Sequence, residues 1–171
     1  MGERSRESIR DALTLARRTG AFSERELAVL DEVLEDCLLT PEEGYRFEGI
    51  TQEGALSGFL IWGRTPMTEK GYDIYWIAVD PALQGKGLGK VLMARVEETA
   101  REETCGCILR LETSGREDYH RQRCFYGSCG FVEAGRIRDF YRTGDDLVTY
   151  VKYVAPQPKA VDPKGEARGE E

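Results

Sequence analysis

Apolar positions near the amino terminus recur at the spacing of two amphipathic helices. The first stripe runs over residues 9–16 and stops before Thr19-Gly20. Ser23 and Glu26 then have the spacing of a capping box, ahead of a longer apolar stripe over residues 27–38. The pattern therefore predicts two helices within residues 5–39.

From residue 45 the apolar pattern changes to that of strands. The strand at 72–79 is almost continuously apolar and aromatic, which predicts that both of its faces are covered. A helical stripe follows it, and a short helix is expected at 118–128. The other strands are expected at 45–52, 55–62, 107–113, 131–141 and 147–154, the last two as a hairpin around 143–146.

The order of these elements predicts a mixed α/β (α+β) fold. Strand, helix and strand over residues 72–113 are typical of a right-handed βαβ unit with parallel strands. A chain of 171 residues is most simply one domain, here over 1–155 with its core at 45–154. Residues 156–171 are rich in Pro, Gly, Lys and Glu, and we expect them to form a disordered tail.

Charge and composition exclude several classes of function. The net charge is -7 and no dense Lys/Arg block is present, so nucleic-acid binding is not expected. No apolar run approaches the ~20 residues of a membrane span, and the amino-terminal residues lack the apolar core of a signal peptide. We therefore expect a cytoplasmic protein without a membrane partner. The five cysteines are expected to be free thiols, and their spacing is not that of usual zinc ligands.

The segment 75–89 joins the strand at 72–79 to a glycine-spaced turn and a helix. Such a turn at a helix amino terminus presents free backbone N–H groups, which suits a phosphate or pyrophosphate. A P-loop is excluded because Lys90 is followed by Val91 rather than by Ser or Thr. The dinucleotide fingerprint is excluded because Gly85, Gly87 and Gly89 stand at alternate positions.

Two motifs instead resemble those of the GNAT superfamily of N-acetyltransferases. Gln84, Gly87 and Gly89 occupy the fixed places of its acetyl-CoA signature, after Val79-Asp80-Pro81. Downstream, the segment from Tyr126 to Gly130-Phe131 resembles its Tyr-x-x-x-Gly-Phe element. The resemblance covers about residues 45–154. It implies a mixed sheet of about six or seven strands with a splayed parallel βαβ unit and flanking helices.

The resemblance also implies acetyl-CoA as the co-substrate. The pantetheine arm is expected to bond along Ile77, Ala78 and Val79 as an extra strand would, with an amide near Ala78 or Val79 polarising the thioester carbonyl. Lys86 and Lys90 either pair with phosphate or are solvated surface lysines. The residues expected to hold the pyrophosphate are Gln84, Gly85, Lys86, Gly87, Leu88, Gly89 and Lys90.

The implied reaction is direct attack of a neutral amine on the thioester, which needs an acid and a base. Tyr126 matches the family's tyrosine that protonates the leaving sulfur. For the base we favour Glu112, with Asp73 next; either is alternatively a solvated surface carboxylate. Tyr119 stands where many members carry asparagine and is expected to hold the cofactor or acceptor through its hydroxyl. His120 follows it, as a helix-surface residue or an alternative base.

The acceptor is not specified by these motifs. A small amine or amino-acid-like compound is the first expectation, and a protein N-terminus or lysine is the alternative. A non-catalytic acyl-CoA-binding module is a further alternative, and a homodimer is compatible with the sequence. Asp139, Asp145 and Asp146 surround the last hairpin, where they either attract a cationic amine or serve turn chemistry.

Overall fold

The computed structural model describes residues 3–39 and 44–156, and its helices and strands follow the predicted order. Of the tail predicted at 156–171, residues 157–171 lie outside the described residues. Within these two ranges four helices flank six strands, with short 3₁₀ turns at Pro81–Leu83 and Glu117–Tyr119. The helices are α1 (Glu3–Thr19), α2 (Glu24–Leu39), α3 (Leu88–Thr104) and α4 (His120–Ser128); the strands are β1 (Tyr45–Gln52), β2 (Ala55–Arg64), β3 (Gly71–Val79), β4 (Cys107–Ser114), β5 (Val132–Arg142) and β6 (Asp145–Val154).

All six strands form one mixed sheet, in the order β1-β2-β3-β4-β6-β5. Every neighbouring pair is antiparallel except β3 and β4, which are parallel. Helix α3 provides the crossover between these two strands, as parallel pairing requires. The predicted βαβ unit and the mixed sheet are therefore confirmed.

Each face of the sheet packs against its own pair of helices. Phe59 and Ile61 of β2 join the apolar side chains of α1 and α2 in one buried cluster. Leu60 and Trp62, the alternate residues of the same strand, join the second cluster with α3 and with residues of α4. Successive strand side chains point to opposite faces, so a continuously apolar strand is buried between two helix layers.

The amino terminus of α2 has the capping box that its sequence predicts. The backbone N–H of Ser23 donates to Glu26 Oε2 at 2.8 Å, and the backbone N–H of Glu26 donates to Ser23 Oγ at 3.3 Å. These reciprocal bonds satisfy N–H groups that the helix itself leaves unpaired.

Strands β3 and β4 pair over only part of their lengths. Their parallel register begins at Gly71 and ends where Ile74 lies opposite Leu111, although β3 continues to Val79. On its other edge β3 stays paired with β2 up to Val79. The carboxyl ends of β3 and β4 therefore diverge, and we call the space between them the opening.

A β-bulge occurs in β3 where the opening begins. Ile61 of β2 lies opposite Trp76, but the next residue, Trp62, lies opposite Ile74. Tyr75 is therefore an extra residue with no partner in β2. A bulge bends its strand and increases the local twist, which turns the end of β3 away from β4.

Three expectations need correction at the level of single residues. The strand predicted at 72–79 is not covered on both faces throughout, because the bulge leaves the Tyr75 side chain 40% exposed. Helix α4 begins at His120 rather than at 118, since a 3₁₀ turn precedes it. The last hairpin turns over residues 143–144 only, because its strands extend to Arg142 and from Asp145.

Helix α4 is fixed to the sheet at its carboxyl end by one lysine. Lys152 Nζ of β6 donates to the Cys129 carbonyl at 2.7 Å and also pairs with Glu97 of α3. The backbone N–H of Phe131 closes the helix end by donating to the Tyr126 carbonyl at 3.1 Å. These bonds fix the position of α4 over the sheet.

Among the described residues, no helix is long and apolar enough to cross a membrane.

Candidate functional site

The glycine turn starts from a tightly held aspartate. Asp80 Oδ1 accepts from the Ala82 backbone N–H at 3.0 Å, and its carbonyl accepts from the Leu83 N–H at 2.8 Å. Its other carboxylate oxygen pairs with Arg18 of α1 at 2.6 Å. The Asp80 side chain is only 12% exposed, so this ion pair anchors the start of the turn to α1.

Helix α3 begins directly after this turn, and its first backbone N–H groups are unpaired within the helix. Gly85 and Gly87 have φ of 80° and 86°, a left-handed conformation that favours glycine. The first i→i−4 bond of α3 runs from the Val91 N–H to the Gly87 carbonyl at 3.1 Å. The N–H groups of Leu88 to Lys90 precede this bond and have no partner within the helix. With the helix dipole, they form a site for an anion.

Two lysines and one glutamine border this anion site. Lys86 and Lys90 are both exposed, so neither ammonium is buried in the protein core. Gln84 instead turns back towards β3, and its Nε2 donates to the Val79 carbonyl at 3.2 Å. Gln84 thus links the glycine turn to the end of the strand that precedes it.

Gly89 allows α3 and α4 to approach closely. A methyl group built on Gly89 would lie 2.9 Å from Phe125 Cζ and 3.8 Å from Ile77 Cδ1. The first distance is shorter than any ordinary carbon–carbon contact. Phe125 of α4 therefore packs directly on the backbone of the first turn of α3, beside the free end of β3.

The free edge of β3 lies in the opening. Residues 76–79 pair with β2 on one side and have no β4 partner on the other. Ile77 and Val79 are half-buried and Ala78 is buried, so the side chains of this segment are packed although one main-chain edge has no strand partner. An unpaired strand edge binds an extended chain carrying amides by main-chain hydrogen bonds.

Tyr126 lies beside the opening on the face covered by α3 and α4. Its ring packs 6.0 Å from that of Tyr150, and Tyr150 lies opposite Leu111, the last β4 residue that pairs with β3. Burial, with smaller effects of Cys129 and Tyr119, raises the pKa of Tyr126 to about 12. Its hydroxyl therefore stays protonated at neutral pH and can donate a proton.

Glu112 lies beside Leu111 in β4 and faces the opposite side of the sheet from Tyr126. It directly follows Leu111 in β4, whose side chain belongs to the cluster under α3 and α4, so Glu112 points the other way. Its side chain is 43% exposed and lies 3.9 Å from Arg110 Nη1. An exposed carboxylate beside the opening has free lone pairs for a water or an amine.

Asp73 is engaged by protein groups at both carboxylate oxygens. Arg110 Nε donates to Oδ1 at 2.6 Å, and Thr65 Oγ1 donates to Oδ2 at 2.9 Å. The side chain is 10% exposed. Asp73 and Arg110 are opposite each other in the parallel register, one residue before it ends. Their ion pair therefore joins β3 to β4 at the edge of the opening.

Tyr119 and Tyr141 face a group of carboxylates between α2 and the last hairpin. Burial, followed by Glu26 and Asp118, raises the pKa of Tyr119. Burial, followed by Glu112 and Asp145, raises the pKa of Tyr141. Carboxylates raise a phenol's pKa because they disfavour its anion, so both hydroxyls lie near carboxylates. Three of these carboxylates also pair with arginines: Glu112 with Arg110, Asp118 with Arg116 and Asp145 with Arg142.

The predicted aspartates of the last hairpin have structural partners. Asp145 is buried and shares a short hydrogen bond with Ser114 Oγ at the end of β4. Asp146 accepts from the Asp139 backbone N–H at 3.0 Å and pairs with Arg136 at 3.1 Å. Asp139 in turn accepts from the Gly144 N–H at 2.6 Å. These bonds shape the hairpin, as the turn-chemistry alternative expects.

The remaining polar residues of α4 divide between its two faces. His120 is exposed, and its Nε2 lies 3.3 Å from Cys124 Sγ on the outer face. Gln122, which the sequence analysis did not select, has a buried Oε1 with no hydrogen-bond partner. Its position four residues before Tyr126 indicates the same helix face as that tyrosine. Its burial, in contrast, could not be predicted from the sequence. Within the described ranges, no group of three or more His, Cys, Asp and Glu could hold a metal ion.

The contact at Gly89 leads to a prediction about stability. Alanine in a helix is ordinarily more stable than glycine by up to about 1 kcal/mol, so only the clash with Phe125 opposes Gly89→Ala. We expect Gly89→Ala to lower the free energy of unfolding in urea by up to about 2 kcal/mol, because overpacking usually costs about 1–3 kcal/mol and the gain in helix propensity offsets about 1 kcal/mol. In a Phe125→Leu background the same substitution should be neutral or stabilising. An equal cost in both backgrounds would show that the contact does not limit residue 89.

Comparison with known proteins identifies the family of this chain. The chain matches the acetyltransferase (GNAT) family over residues 7–131. It is 39% identical over 116 residues to the N-alpha-acetyltransferase RimI of Mycobacterium tuberculosis (strain ATCC 25618 / H37Rv), a match that covers 66% of this chain and 67% of that protein.

Solved structures give the same result. A GNAT-family protein from Desulfovibrio desulfuricans superposes with a TM-score of 0.83 at 35% identity, covering 87% of this chain and 94% of that one. The ribosomal-protein-S18-alanine N-acetyltransferase of Escherichia coli shares the fold, with a TM-score of 0.67 at 22% identity over 95% and 96% of the two chains. The chain therefore belongs to the GNAT family and is an acetyl-CoA-dependent N-acetyltransferase.

Proposed function

We propose that this protein transfers the acetyl group of acetyl-CoA to the N-terminal amine of a protein or peptide. One observation carries the proposal: Tyr126 and Glu112 flank the opening on opposite faces of the sheet. A protonated phenol on one side and an exposed carboxylate on the other supply the acid and the base of amine acylation. The donor enters from the α3 and α4 face, and the acceptor from the other.

The donor is held at two places in this proposal. The unpaired N–H groups at the start of α3 bind the pyrophosphate, supported by Lys86 or Lys90. The pantetheine arm extends along the free edge of β3, at Ile77, Ala78 and Val79. The residues proposed for the pyrophosphate end are Gln84, Gly85, Lys86, Gly87, Leu88, Gly89 and Lys90, with Tyr119 near the acyl end.

The chemical step is a direct transfer. Glu112 takes a proton from the ammonium through a water, and the neutral nitrogen attacks the thioester carbon. A backbone amide near Ala78 or Val79 stabilises the negative charge that develops on the carbonyl oxygen. The C–N bond forms, the C–S bond breaks, and Tyr126 protonates the leaving thiolate. The nitrogen loses its second proton to solvent as the amide forms, and solvent returns a proton to Tyr126. We assign the base to Glu112 rather than Asp73 because both oxygens of Asp73 already accept hydrogen bonds.

The proposed acceptor is a protein N-terminus rather than the small amine expected first from sequence. Support comes from the relative named N-alpha-acetyltransferase RimI, which is 39% identical over 116 residues. The carboxylates near Tyr119 and Tyr141 can attract a cationic ammonium. A protein N-terminus has a pKa of about 8, so a single carboxylate base suffices to neutralise it near pH 7.

A peptide panel tests the acceptor directly. Peptides with a free α-amine and one internal lysine are incubated with acetyl-CoA, and the acetylated position is identified by mass spectrometry. Matched peptides with a formylated N-terminus and a set of small polyamines serve as controls. We expect acetylation at the free α-amine only. Faster modification of a small amine, or lysine acetylation in the blocked peptides, would contradict the proposed acceptor.

The roles of Tyr126 as acid and Glu112 as base can be distinguished by measuring how kcat of their variants depends on pH. We expect Tyr126→Phe and Glu112→Gln each to lower kcat about 100-fold or more, with coenzyme A affinity nearly unchanged. The deficit of Glu112→Gln should shrink as pH rises towards the amine's pKa of about 8, because the free amine then forms without a base. The deficit of Tyr126→Phe should stay constant, because the pKa of Tyr126 is raised to about 12. Parallel pH profiles for the two variants would contradict these roles.

A further inference from the structure

Lys152 is a half-buried lysine of β6 that contacts both helices on one face of the sheet. Its side chain is only 22% exposed. Nζ pairs with the Glu97 carboxylate of α3, which is 15% exposed, and donates to the Cys129 carbonyl at the end of α4 at 2.7 Å. Apolar side chains of similar size often stabilise a protein as much as such a shielded ion pair does. The charged pair therefore points to a task other than stability.

Helix α4 depends on contacts with the rest of the protein for its position. It has nine residues, and isolated helices shorter than about 12–15 residues are only marginally stable in water. Near its start, Arg123 Nη1 donates to two main-chain carbonyls at and just after the end of β4, at 2.8 and 2.6 Å. At its carboxyl end, Lys152 binds the Cys129 carbonyl. Tyr126 lies midway in sequence between these two anchored residues, Arg123 and Cys129.

The carboxyl end of α4 is bonded directly to Tyr126. The Tyr126 carbonyl accepts from the backbone N–H groups of Cys129 at 3.0 Å and Phe131 at 3.1 Å. The Tyr126 ring packs 6.0 Å from that of Tyr150, which precedes Lys152 by two residues in β6 and so faces the same side of the sheet. Strand β6 therefore contacts both the ring of Tyr126 and the end of the helix to which its main chain is bonded.

Helix α3 contacts α4 at one end directly and at the other through Lys152. Phe125 packs on the start of α3, where its Cζ lies 2.9 Å from the Cβ position of Gly89. About two turns further along α3, Glu97 holds the Lys152 ammonium that binds the end of α4. An apolar contact is not directional, whereas hydrogen bonds from a charged donor are short and specific in geometry. The lysine therefore fixes an orientation of α4 that the contact at Gly89 alone leaves open.

We propose that Lys152 is a positioning residue for the acid Tyr126. Its bond to the Cys129 carbonyl, with Glu97 orienting the ammonium, sets where α4 places the Tyr126 hydroxyl beside the opening. In this role Lys152 acts through α4 rather than on either substrate. A displacement of about 1 Å in an active site can lower a rate about 100-fold, so a small shift of α4 suffices to impair proton transfer. The inference rests on the proposed function, because it assumes that Tyr126 protonates the leaving thiolate.

A double-mutant cycle with Tyr126 tests this role. Initial rates give kcat and KM for Lys152→Met in the wild-type protein and in a Tyr126→Phe background. With Tyr126 present, we expect kcat to fall about ten-fold while the KM for acetyl-CoA is unchanged. In the Tyr126→Phe background the same substitution should change kcat less than about two-fold, because no hydroxyl is left to be positioned. An equal loss in both backgrounds, or no loss with Tyr126 present, would overturn the proposal.

Two further variants control for folding and for loss of a lysine. Lys152→Met deprives the shielded Glu97 carboxylate of its lysine, so the cycle is repeated with Lys152→Met/Glu97→Gln, which removes both charges. This double variant tests the proposal even where Lys152→Met alone fails to fold, and wild-type kcat in it would also overturn the proposal. Lys70→Met, at an exposed position before β3, should leave kcat unchanged. Wild-type kcat in Tyr126→Phe itself would instead contradict the proposed function.

Discussion

The divergence of β3 from β4 is the constraint on which the site depends. The strands are joined up to the pair Ile74 and Leu111, and the Asp73–Arg110 ion pair ties them together one residue earlier. The bulge at Tyr75 then turns β3 away while β2 still holds its other edge. A parallel sheet is normally closed to ligands within its plane. Here the divergence exposes a free edge between two helix layers.

The two faces of the sheet give the two sides of the opening different chemistry. On one side α3 and α4 supply an anion site, a close contact at Gly89 and a buried phenol whose pKa is raised. On the other side Glu112 lies with Tyr119 and Tyr141 among carboxylates. Because residues alternate along β4, Leu111 and Glu112 place an apolar wall and a carboxylate at one level of the sheet. The donor and acceptor sides of the proposed reaction thus follow from strand geometry.

The sequence predicted the parts of the fold that depend on local pattern. The capping box at Ser23 and Glu26, the βαβ unit and the glycine turn are read from residue types at fixed spacings, and the structure has all three. The bulge at Tyr75 was not predictable, because it depends on how β2 and β3 align. The ion pair that occupies Asp73 and the burial of Gln122 also depend on residues distant in sequence. The sequence alone therefore could not show which polar side chains are free to contact a ligand.

Hydrogen exchange on the free edge of β3 shows whether the acyl donor binds in the opening. Amide exchange of residues 76–79 and 88–90 is measured by mass spectrometry with and without saturating coenzyme A. The account predicts slower exchange in both segments on binding, because the arm bonds to the β3 edge and the pyrophosphate to the first turn of α3. Protection at 88–90 without any change at 76–79 would show that the arm does not lie in the opening, and would contradict the account.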